Sequence, residues 1–138
     1  MKTFNFDIFT PEKQFFSGTA EAVVCVAPDG ELCVYAGHVP MTVALKPGEL
    51  RFKTGGQWKS AYNSDGFMDV HQTKVVIFLH DCEWPEDIDE ALTRREIDRR
   101  TEQLRNLERL SDYRRTEIEL QRMMARLRYK TSKSINID

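Results

Sequence analysis

Hydrophobic positions along the chain follow two different periods, and the change falls near residue 85. In the first part Phe4, Phe6 and Ile8 alternate with Asn5 and Asp7, the period of two that turns one face of a strand to a core and the other to water. The apolar run from Ala22 to Val26 ends at Pro28-Asp29-Gly30, a turn with residues suited to each position. Leu50 and Phe52 alternate with Arg51 and Lys53, and Gly55-Gly56 then reverses the chain into Trp58 to Tyr62, which predicts a hairpin. Val75 to Leu79 is apolar at every position and predicts a strand covered on both faces. Short strands at this spacing predict a β-sandwich or flattened barrel.

Beyond that point the period becomes helical. Asp87 with Glu90 three residues on predicts an N-cap with a capping box. Ile88, Leu92, Ile97, Leu104 and Leu107 trace an interrupted stripe, and Ser111-Asp112 offers a second N-cap. Tyr113, Leu120, Met124 and Leu127 then mark one face of a second helix. Two helices of about 20 residues with a short connection predict an antiparallel hairpin, followed by a frayed polar end from Thr131 to Asp138. The expected architecture is α+β, with a sandwich over 1–85 and a helical hairpin over 86–138.

Punctuation residues sharpen the boundary. All 7 glycines lie between Gly18 and Gly66, and the last of the 5 prolines is Pro85. The second part therefore turns without glycine or proline chemistry. Its stripe is thin and its other faces are charged, so the hairpin depends on what the stripe packs against. Such an element can exchange partners at modest cost.

Charge and composition exclude several function classes. The formal net charge is −2, which gives no bulk attraction to nucleic acid or anionic lipid. Arg94-Arg95, Arg99-Arg100 and Arg114-Arg115 are interleaved with Glu96, Asp98, Glu102, Glu117 and Glu119. A segment this balanced reads as ion pairs at i,i+3 and i,i+4 and not as a nucleic-acid face. No run approaches the ~20 apolar residues of a membrane span, and the opening residues hold no uninterrupted apolar stretch of secretory-signal type. Cys25, Cys33 and Cys82 lack CxxC spacing and are expected as reduced thiols of an intracellular protein.

Catalytic signatures are missing. There is no phosphate-cradling GxxxxGK[ST] or GxGxxG loop, and His38, His71 and His80 are not spaced as metal ligands. Cys25 or Cys82 could pair with a histidine as a nucleophile, or be a buried core thiol, and the second reading is preferred. No enzyme activity is expected.

The segment from Gly30 to Met41, with Gly37-His38-Val39-Pro40 inside it, resembles the signature of ATP synthase epsilon subunits. Leu45-Lys46-Pro47-Gly48, Gly66-Phe67-Met68-Asp69-Val70 and the opening Phe6 to Glu12 with Phe16-Ser17-Gly18 are similar to further stretches of that family, in the same order. The resemblance implies a ten-stranded β-sandwich and a C-terminal hairpin. It implies a non-catalytic rotor part of a proton-translocating synthase, peripheral on the cytoplasmic side of the cell membrane. The partners implied are the gamma subunit, the c-ring and, through the C-terminal helices, the alpha/beta hexamer, with inhibition of ATP hydrolysis by those helices. Contact with the membrane would be only indirect.

By the same resemblance Glu31 falls at the c-ring-facing loop and His38 near the gamma and c-ring contacts. Each has a simpler reading: Glu31 as a turn acid, His38 as a residue fixing its own loop. Some family members bind ATP on the hairpin, and Ile88, Asp89, Arg122 and Arg126 match residues of that motif, whereas Leu92 and Thr93 stand where the family has Arg and Ala. Losing one charged partner costs roughly tenfold to a hundredfold in affinity, so weak or absent ATP binding is expected and no cofactor otherwise. Arg122 and Arg126 could instead pair with Glu119 or with acids of the first helix, the preferred reading. Two alternatives remain, an ATP-sensing hairpin and a free-standing adaptor unrelated to energy coupling.

Overall fold

The structure, a computed structural model, describes residues 2–107 and 109–135. The chain divides into two compact units between Trp84 and Pro85. The first unit holds ten strands: β1 (Phe4–Phe9), β2 (Gln14–Ala20), β3 (Ala22–Ala27), β4 (Gly30–Tyr35), β5 (Met41–Leu45), β6 (Gly48–Thr54), β7 (Gln57–Asn63), β8 (Gly66–Val70), β9 (Lys74–Leu79) and β10 (Cys82–Glu83). They form two five-stranded sheets, ordered β2-β1-β9-β8-β5 and β10-β7-β6-β3-β4. The arrangement is an open sandwich and not a closed barrel.

Sequence alternation dictates which residues meet between the sheets. On β1 the side chains of Phe4, Phe6 and Ile8 are buried while Asn5 is exposed. Facing them, Leu50 and Phe52 of β6 are fully buried. The rings of Phe6, Phe16 and Phe52 interlock, with centroids 5.2 Å apart for Phe6–Phe52 and 4.7 Å for Phe16–Phe52, tilted geometries that aromatic pairs prefer. The Gly55-Gly56 hairpin forms as its sequence predicts. Thr54 pairs with Gln57, and both glycines have positive φ, +58° and +76°, the left-handed pair that a two-residue turn requires.

Gly66 answers to a different constraint. A Cβ placed there would lie 2.0 Å from the carbonyl oxygen of Phe78. Only glycine lets β8 leave its turn this close to β9.

One strand departs from its pattern. Val75, Ile77 and Leu79 of β9 are buried, but Phe78 is 41% exposed and Val76 half-buried. The strand is covered on one face only, the face turned to the other sheet of its own unit.

The second unit opens with a 3₁₀ turn (Pro85–Asp87), followed by α1 (Glu90–Arg105) and α2 (Leu110–Ile135). The N-cap is Asp89, not Asp87: its carboxylate accepts from the Leu92 amide at 3.0 Å. Pro85 explains the shift, since its fixed φ suits the preceding 3₁₀ turn and Asp87 is consumed in it. The buried stripe moves accordingly. Thr93 is 1% exposed and Leu92 is 51% exposed, the reverse of the expected roles.

On α2 the helix starts before Ser111-Asp112, so those residues occupy its first turn and do not cap it. Asp112 there meets the positive end of the helix dipole. The buried residues are Thr116, Leu120, Ala125 and Tyr129, with Tyr113 and Met124 exposed. Residues 131–135 continue the helix and are not frayed. The rest of that predicted end lies outside the described residues. Many charges pair within α1 as their spacing predicts, Glu90 with Arg94 at 3.1 Å and Glu96 with Arg99 at 2.7 Å.

Candidate interaction site

The sandwich carries its two sequence-derived contact residues at opposite ends of β4. Glu31 is the second residue of that strand, opposite Val26 and next to the Pro28-Asp29 turn. Its carboxylate is 66% exposed and receives an Arg51 Nη2 hydrogen bond at 3.2 Å across β3. Arg51 also faces Glu49 at 3.8 Å. Glu31 is thus the exposed end of an acidic-basic-acidic row and not a turn acid alone.

His38 follows the other end of β4 after a turn, and the strand from Glu31 to Tyr35 alone spans about 13 Å. Its Nδ1 lies 2.9 Å from the Val39 carbonyl, and the His38 amide donates to the Tyr35 carbonyl at 3.2 Å. The neighbouring Gly37 amide reaches the Gln72 carbonyl at 3.2 Å. His38 therefore does hold its own loop, and the two residues do not form one site.

An exposed aromatic row escaped the sequence reading. Phe78 stacks between Phe9 and Phe67 on the outer face of the β1-containing sheet, with centroids 5.6 Å and 5.1 Å away. A shallow recess of about 470 Å³ opens beside it, lined also by Pro11, Gly66 and His80. The signal lies in Val75 to Leu79, apolar at every position, and in the aromatics Phe9 and Phe67. The same run predicts double-sided burial, because periodicity alone does not separate a covered face from an apolar open one.

The thiols sit in the opposite environment to a nucleophile's. Cys25 and Cys82 are buried, and burial, aided by Glu31 and Cys33 near Cys25 and by Glu83 near Cys82, pushes each up to about 12. Among the described residues no group of three or more His, Cys, Asp and Glu gathers as a metal would require.

On the hairpin, the structure brings together part of the nucleotide-motif set. Ile88 is buried. Asp89 caps α1, and its carbonyl accepts from the Thr93 hydroxyl at 2.7 Å. Arg126 donates from Nη1 to that same hydroxyl at 3.2 Å. Arg122 lies one turn earlier on α2 and is half-buried. Glu119, one candidate partner for these arginines, pairs with Arg100 of α1. Thr93 belongs to this constellation and was passed over because a threonine at an expected alanine position reads as a loss, not as a partner.

An open sandwich of ten strands with a C-terminal helical hairpin defines a class, and comparison places it. Residues 3–85 match the family described as ATP synthase, Delta/Epsilon chain, beta-sandwich domain. The ATP synthase epsilon chain of Ruminiclostridium cellulolyticum is 38% identical over 92% of this chain and 95% of its own length. That of Caldanaerobacter subterraneus is 34% identical, over 92% and 93%. A chain in the mitochondrial ATP synthase structure of Euglena gracilis, containing OSCP, F1 and c-ring, superposes with a TM-score of 0.74 at 20% identity, covering 89% of this chain and 78% of that one; at that identity it speaks for the fold. This protein belongs to the ATP synthase epsilon chain family. Among the described residues no helix is long and apolar enough to cross a membrane.

Proposed function

We propose that the chain is a non-catalytic central-stalk subunit of a proton-translocating F-type ATP synthase. In this reading the sandwich, residues 1–85, is the docking piece that binds the gamma subunit and the c-ring and turns with them. The hairpin, residues 86–138, is the regulatory piece, able to reach the alpha/beta hexamer and slow ATP hydrolysis. The subunit would sit peripherally on the cytoplasmic side of the cell membrane. The observation that carries the reading is the relationship to epsilon chains over more than nine-tenths of the length, hairpin included. Glu31, charged, exposed and held by Arg51, is the proposed c-ring contact. His38, on a loop anchored at Tyr35 and Gln72, is the proposed contact near gamma and the c-ring.

A second reading concerns nucleotide. Ile88, Asp89, Arg122 and Arg126 would form the ATP-contacting set, but Arg126 is engaged with Thr93 and Leu92 stands in place of a cation. Such a set binds ATP weakly or not at all. The decisive experiment is co-purification of the tagged chain from native membranes. Recovery with the other synthase subunits supports the reading, and recovery without them rejects it. Titration calorimetry with millimolar ATP on the isolated chain tests the nucleotide part separately.

A further inference from the structure

Apolar burial within α1 is partial, with Ile97 and Leu104 only half-buried. Among its described residues the one that is fully buried is Thr93, a hydroxyl. On the facing helix the buried apolar residues are Leu120, Ala125 and Tyr129. A helix whose buried position is a hydroxyl gains little from the hydrophobic effect there, and a buried hydroxyl without partners is costly. Beside Ile88, buried just ahead of α1, the polar chemistry around Thr93 holds this end of the hairpin.

That chemistry is directional, although the buried Nε of Arg126 has no hydrogen-bond partner among the described residues. A threonine hydroxyl has one proton to give and lone pairs to receive. Thr93 Oγ1 donates to the Asp89 carbonyl at 2.7 Å and accepts from Arg126 Nη1 at 3.2 Å. The Asp89 carbonyl also takes the Thr93 amide at 3.0 Å, and the Asp89 carboxylate caps the Leu92 amide. The hydroxyl thus joins the first turn of α1 to a cation on α2. One turn further along α2, Lys130 Nζ donates to the Pro85 carbonyl at 2.8 Å, and Thr131 Oγ1 reaches Glu90 Oε1 at 3.5 Å. Three grips from one stretch of α2 close on the 3₁₀ turn and the first turn of α1. The bonds from Arg126 and from Lys130 both come from charged donors, the stronger type.

We infer that Thr93 is the positioning residue of a built-in clasp, in which its hydroxyl serves as the internal ligand of Arg126 and keeps the hairpin closed with no bound ligand. The clasp is a property of the isolated chain and does not rest on the stalk role. Opening begins where α1 starts, and loss of a single hydroxyl lets it begin more often.

Hydrogen exchange on the full-length chain, read by mass spectrometry, tests this. Thr93→Val keeps the branched shape and removes the hydroxyl; it is expected to speed exchange of α1 amides about tenfold, the usual weight of a hydrogen bond to a charged group. Thr93→Ser restores the hydroxyl and is expected to exchange at the parent rate. In an Arg126→Gln background, Thr93→Val is expected to add less than in the parent chain, since the two act as one unit. Amides of the sandwich strands serve as the internal reference and stay unchanged. Parent-like exchange in Thr93→Val overturns the clasp. So does Thr93→Ser exchanging as fast as Thr93→Val, an equal effect of Thr93→Val in both backgrounds, or a simultaneous loss of protection in the sandwich.

Discussion

Arg100 on α1 and Glu119 on α2 form an ion pair across the hairpin, their side chains only 27% and 34% exposed. Its position, with Thr93 meeting Arg126 and Glu90 meeting Thr131, fixes the helices as antiparallel: numbers rise on one while they fall on the other. The buried Nε of Arg100 has no hydrogen-bond partner among the described residues, so the Glu119 contact carries its compensation. Replacing Glu119 by Gln is expected to destabilise the hairpin by about 1–3 kcal/mol, the cost of leaving a shielded charge poorly paired. The charge swap Arg100→Glu with Glu119→Arg is expected to recover part of it. Urea unfolding followed through the helical circular dichroism signal checks both.

Removal of the hairpin separates its role from that of the sandwich. A chain ending before Asp87 is expected to assemble into the synthase and to raise the ATPase rate of the complex. Equal rates with and without the hairpin would reject inhibition while leaving stalk membership intact.

Glu31→Ala discriminates contact from fold. The Glu31–Arg51 pair is exposed and worth about 0.2–1 kcal/mol, so the melting of the isolated chain should hardly move. Affinity for purified c-ring is expected to fall. An unchanged affinity would leave Glu31 as no more than the end of its charged row.

Gly66→Ala presses a methyl onto the Phe78 carbonyl, 2.0 Å from where its Cβ would be. The β8–β9 pairing must shift, and a loss of about 3 kcal/mol is expected in denaturant unfolding of the sandwich.

Alkaline pH should weaken the sandwich through its thiols. Cys25 and Cys82 titrate at about 12 when folded against 9.0 as the ordinary value. Between these limits the folded chain keeps protons that the unfolded chain has released. The stabilisation is therefore complete below about pH 9 and is lost as pH rises toward 12. The stability gap between the parent chain and a Cys25→Ala/Cys82→Ala variant is expected to narrow over that window. At about pH 8 native-state alkylation should reach half-buried Cys33 ahead of the other two.

Much of the sandwich was legible because its strands obey a rule local to a few residues. Phe4-Asn5-Phe6-Asp7-Ile8 and Leu50-Arg51-Phe52-Lys53 alternate, and Gly55-Gly56 announces its own turn. For β9 the expectation fails, since coverage of its outer face depends on what lies above the sheet, which no local period encodes. On the hairpin, the caps moved because Asp87, Asp89, Ser111 and Asp112 all have capping side chains, and tertiary packing chooses among them. The site was less legible still. Thr93 acts through Arg126, and only the folded hairpin brings residues so far apart in sequence together.

The pairing of β1 with β9 carries a consequence for how the chain is made. It is parallel, with Asn5 opposite Lys74, so the first strand of the sandwich waits for nearly the last strand of its unit. Until then β1 has a partner on one side, β2, and an open row of amides and carbonyls on the other. Contacts spanning so much chain slow folding, and an unsatisfied edge is where nascent molecules stick to one another. During synthesis, that edge is where a chaperone would have most to protect.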